Sequence, residues 1–175
     1  MSRLTKAEQD VSAAWWYCAR QLYQGLLRGE KFTAISVSGV WLDDTEACYL
    51  DAELGYARYY GLGMTSESQQ YAGLSQRAAA TALPQWRDHC QARVIFTNRR
   101  LLCAVDDEWL SFEHEAIAKF EADLSAPCFA LDFASGYPFS LLLAGPAAPA
   151  FALATAYRMY GSDVLRMQEF TKLAE

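Results

Sequence analysis

Histidine is scarce in this chain and basic charge is in deficit. Of 175 residues, two are His, and 15 Lys and Arg face 21 Asp and Glu, for a net charge of −6. An acidic chain is a poor candidate for wrapping nucleic acid or adsorbing to anionic lipid. Five cysteines are present (Cys18, Cys48, Cys90, Cys103 and Cys128), but none is in a C-x-x-C pair. Their odd number and scatter argue against a disulfide framework, and they read as reduced, buried small hydrophobes. The start, MSRLTKAEQD, lacks the apolar run of an export leader. The most apolar window, 141–156, is broken by Gly145, Pro146 and Pro149 and is too short to span a bilayer. The expected location is therefore the cytoplasm.

Catalytic signatures are missing as well. No G-x-S-x-G elbow occurs. Gly61-Leu62-Gly63 lacks the third glycine and the βαβ context of a nucleotide fingerprint. His89, Cys90 and His114 are too scattered for a zinc site. Asp106-Asp107-Glu108 reads as a turn rather than a cation site. The chain is expected not to be an enzyme and to need no cofactor or metal.

What is present is apolar and aromatic. Hydrophobic residues make up 53% and aromatics 14%, enough for a folded domain with a sizeable core. Thr5 and Glu8 form a capping-box pattern. Val11, Trp15, Cys18, Leu22 and Leu26 then recur at helical spacing, predicting a helix over Lys6 to Leu27. Strands are expected at 48–54, with a break at Gly55 and a continuation over 56–62. Further strands are expected at 92–97, 100–105, 109–113, 117–124, 128–134 and 137–143. Ser135-Gly136 reads as a hairpin turn. Residues 32–42 are β-rich but irregular, and 63–88 reads as a loop with a short helix at 76–83. Pro146 and Pro149 introduce an apolar helix over 148–160, ended by Gly161, and Ser162 or Asp163 caps a last helix to about Leu173.

Phe96-Thr97-Asn98-Arg99-Arg100-Leu101-Leu102 is the most specific local pattern. The asparagine suits unusual turn geometry and can bond its neighbouring backbone. This hairpin resembles the middle of bacterial pleckstrin-homology-like and GRAM-like domains. Leu42-Asp43-Asp44-Thr45-Glu46, Arg58-Tyr59-Tyr60-Gly61 and the turn between Phe112 and Phe120 are similar to other parts of that group. The resemblance spans about 40–161. It implies an α+β fold: a bent antiparallel sheet or partly open barrel of about seven strands, closed by a C-terminal capping helix. The long N-terminal helix is an addition. The expected division is residues 1–30 as an amphipathic helix, 31–161 as the PH/GRAM-like domain and 162–175 as a helical tail.

Such domains are binding scaffolds, so the resemblance implies a non-catalytic interaction module that binds a protein partner or itself. Trp15, Trp16, Tyr17 and Tyr23 are the candidate partner-binding residues, because these types are favoured at interface hot spots. Adjacent Trp15 and Trp16 point about 100° apart, so one helix cannot easily bury both. The alternative is a lipid or phosphate module using Arg93, Arg99 and Arg100, near Arg87 in sequence. Seven acids between Asp106 and Asp123, against Lys119, would repel an anionic membrane. Membrane contact is at most peripheral.

Overall fold

Thr5 starts the first helix as its sequence demands. Its hydroxyl accepts from the Glu8 amide, and the Glu8 carboxylate accepts from the Thr5 amide at 2.7 Å. Helix α1 then runs Lys6–Leu27. The computed structural model describes residues 5–60, 85–134, 137 and 139–174. Among them, seven antiparallel strands follow α1: β1 (Cys48–Tyr60), β2 (Gln85–Thr97), β3 (Arg100–Val105), β4 (Glu108–Glu113), β5 (Ile117–Asp123), β6 (Cys128–Phe133) and β7 (Ser140–Ala144). Helix α2 spans Ala148–Tyr160. The helix expected at 76–83, the turn at Ser135-Gly136 and the Gly61-Leu62-Gly63 run lie outside the described residues.

The strand order is β4-β3-β2-β1-β7-β6-β5. The two edge strands, β4 and β5, are therefore neighbours in the chain, joined by the 3-10 turn His114–Ala116. Three residues reach only about 10 Å, so the sheet must curl until its edges meet at that end. The result is a strongly curled half-barrel. Its seam is closed by aromatics: Phe112 on β4 stacks on Phe133 at 5.5 Å, and Tyr137 lies 4.4 Å from Phe133. The Tyr137 hydroxyl accepts from the Glu113 amide and donates to the Ser111 carbonyl at 3.0 Å. It thus satisfies two backbone groups of an edge strand that has no further partner strand among the described residues. Tyr137→Phe should lower stability by about 1–2 kcal/mol, read in a urea melt, with the spectrum of the folded protein unchanged.

The pleat places alternate residues of β2 on opposite faces. Val94 and Phe96 point into the half-barrel core, which α2 and α1 complete. Ile95 points outward with Leu102 and Cys48, beneath Val37, Val40 and Leu42 of the irregular 32–42 segment. That segment is a strap on the outer face rather than a strand, with one antiparallel bridge, Ile35 to Cys48. Helix α2 is buried over Ala148–Ala156, on every side, as its apolar sequence requires. Trp15 of α1 meets Phe151 at 6.5 Å. The main core includes residues of α1, the sheet and the last turns alike.

Three expectations needed correction. Gly55 does not break β1; it pairs with Ala144 where β7 joins, and a side chain there would meet the Ala144 carbonyl at 3.3 Å. The glycine permits close backbone approach rather than a turn. β2 begins at Gln85, seven residues earlier than expected. The last helix is instead two 3-10 helices, Gly161–Arg166 and Gln168–Leu173, hinged at extended Met167. Val164, Met167, Phe170 and Leu173 pack on the core at three-residue intervals, the period of a 3-10 helix rather than an α-helix.

Candidate functional site

The arginine cluster is best read through its partners. Arg93 makes a two-pronged pair with Asp51, at 2.9 and 2.6 Å, and donates to the Ser38 carbonyl of the strap at 2.8 Å. Arg100 makes the same kind of pair with Glu46, at 2.9 and 2.8 Å. Arg99 pairs with Asp43 at 2.6 Å and with Glu113 at 3.3 Å. Each guanidinium is thus matched by a carboxylate of the same chain, so an incoming phosphate would first have to displace one. The side chain of Arg87 lies outside the described residues.

Glu46 is the most buried of these acids, with 1% of its side chain exposed. Burial alone would raise its pKa. Arg100, the Thr97 hydroxyl and the Asp43 amide outweigh that, so the carboxyl sits below the usual range. The surrounding hairpin is a latch. The Thr97 hydroxyl accepts from the Arg99 and Arg100 amides. The Asn98 side chain accepts from the Ala47 amide at 2.8 Å and donates to the Thr45 carbonyl. Asn98 therefore bonds backbone some 50 residues away, not its neighbours, and its φ is not positive. The two sequence segments 42–46 and 96–102 hold each other, which is structural chemistry.

The four aromatics proposed as a partner surface separate. Tyr23 is buried, and its hydroxyl donates to the Leu165 carbonyl at 2.8 Å; this is a core residue, not a partner-facing one. Trp15 packs on Phe151, and Trp16 is half-buried against the same core. Tyr17 faces solvent at 65% exposure. The amphipathic helix turns its tryptophans inward because α2 and the last turns supply an apolar surface on that side. Among the described residues the most exposed large apolar side chain is one the sequence did not single out: Trp41, 76% exposed, near the end of the strap. Its neighbours Val40 and Leu42 anchor the strap and leave the indole outward. The alternation Val40-Trp41-Leu42 contains no polar residue to mark which side faces water.

His114 is buried; its Nε2 donates to the Thr97 carbonyl at 3.0 Å, and Nδ1 has no partner. Burial pushes its pKa down to about 4. His89 is exposed. All five cysteines are unpaired, and burial raises each thiol, Cys48 to about 11. Raised thiols are poor nucleophiles. Among the described residues, no three His, Cys, Asp or Glu converge as a metal site, and no helix is long and apolar enough to cross a membrane. Asp106 and Asp107 both adopt positive φ, 50° and 64°, in the two-residue turn from β3 to β4. That is the primed hairpin geometry, and it accounts for the acidic run as a turn. Compared with known proteins, the chain matches no family model, and a search of curated proteins finds no significant match.

Proposed function

We propose that this chain is a non-catalytic, cytoplasmic interaction module of the pleckstrin-homology-like or GRAM-like kind, binding a protein partner or a second copy of itself. The curled seven-strand antiparallel sheet followed by an apolar helix supports the fold assignment. The unpaired thiols suit a reducing compartment. The observation that carries the binding role is Trp41, an indole held out on a strap that Val37, Val40 and Leu42 anchor to the sheet. Tryptophan dominates interface hot spots, and leaving one exposed forfeits the burial it would contribute to a core. The lipid or phosphate alternative is weaker, because Arg93, Arg99 and Arg100 are each already paired.

Trp41→Ala should leave stability within about 0.5 kcal/mol and weaken association by about 2 kcal/mol or more. Analytical ultracentrifugation reads self-association, and retention of a stoichiometric companion from the native host reads a heterologous partner. The reading fails if the Trp41→Ala, Tyr17→Ala double variant sediments and retains companions as the wild type does. It also fails if the wild type is monomeric and retains none.

A further inference from the structure

A groove of about 360 Å³ runs between the C-terminal half of α1, the segment 30–35 and the start of β1. That is within the range of small-molecule sites, about 300–1,000 Å³. Its walls are apolar: Leu22, Leu26, Phe32, Ile35, Tyr49 and Leu50. Phe32 is fixed there by ring contacts with Tyr49 at 5.6 Å and Phe96 at 6.0 Å, so the wall is rigid. Ile35, at the rim, is exposed, although its backbone is bonded to β1.

The charges on this groove do not cancel. Arg28 is bound by Glu30 at 2.7 Å. Gln21, Lys31 and Thr33 are exposed along it, and Lys31 takes part in none of the ion pairs among the described residues. Arg28 and Lys31 against Glu30 leave the lining one positive charge in excess, on a chain of net charge −6. Apolar walls with a few exposed polar groups at the mouth are the composition of an amphiphile site.

We propose that this groove binds a small amphiphile with one carboxylate: the apolar body lies between Leu22 and Phe32, and the carboxylate meets Lys31. The site is separate from Trp41 and does not depend on the interaction role. Isothermal titration of the full chain with sodium decanoate, below micelle-forming concentration, should show one site per chain. 1-Decanol, with the same chain and no charge, should bind roughly fivefold to tenfold more weakly, and Lys31→Glu should weaken decanoate by a similar factor. Leu22→Trp should block the slot. Ile35→Asp, at an exposed rim position, should repel the ligand without touching the core. Absence of decanoate binding overturns the proposal. So does equal binding by decanol, or an Ile35→Asp variant that folds and binds as the wild type does.

Discussion

Arg100→Ala should destabilise the protein by about 3–5 kcal/mol, lowering its melting temperature by roughly 10 °C or more. The cost comes from the residue left behind. Glu46 has 1% of its side chain exposed and loses both prongs of its guanidinium partner. A buried carboxylate stripped of its cation must keep an unmatched charge or take up a proton, and both are costly. Arg100→Lys should recover little, because a point charge cannot make the fork. Arg99→Ala is the internal contrast. Its side chain is 55% exposed, so its pairs are screened by water and their loss should cost under about 1 kcal/mol. Replacing Arg100 and Glu46 together by leucine should restore much of the stability, since no charge is then stranded. Urea melts of the four variants check this. Equal costs for Arg99→Ala and Arg100→Ala would show that the Glu46 site is wetter than its burial indicates.

The same residues show why the fold was easier to read from sequence than the site. Helix α1 was legible from Thr5, Glu8 and a 3.6-residue apolar period, all of which are local. So was α2, bracketed by Pro149 and by Gly161 at φ 60°. The strands after residue 100 followed from alternation and acidic turns. The carboxylates that neutralise the arginines are not local. Asp51 is 42 residues from Arg93, Glu46 is 54 from Arg100, and Asp43 is 56 from Arg99. A cluster that looks cationic along the chain is neutral in space, because sheet pairing brings β1 and the turn before it against the β2–β3 hairpin. The aromatic helix misled in the same way. Its partner surface is 130 or more residues downstream, where Phe151 and Leu165 take up Trp15 and Tyr23. Even Trp41 depended on the strap lying over Ile95 and Leu102, a contact for which residues 32–42 carry no periodic signal.

Mild acid should then weaken this protein before its carboxylates titrate, through His114. Its folded pKa is pushed down from 6.5 to about 4, chiefly by burial. The ring is neutral when folded: Nε2 gives its proton to the Thr97 carbonyl, and Nδ1 faces no donor. Below pH 6.5 the unfolded chain binds a proton that the folded chain refuses, so unfolding is favoured progressively as pH falls to about 4. Below that both states are protonated and the loss stops. The shift corresponds to a loss on the order of 3 kcal/mol across that window. Its structural consequence follows from position. His114 opens the 3-10 turn that joins the two edge strands, and it packs 4.9 Å from Phe96. A charge there is placed at the end where the half-barrel closes, next to a ring that belongs to the core. His114→Gln should be somewhat less stable at pH 7, yet show a nearly flat stability profile between about pH 6.5 and 5, where the wild type declines. Urea melts across that range decide it. An identical slope in the two proteins would assign the acid sensitivity to another group.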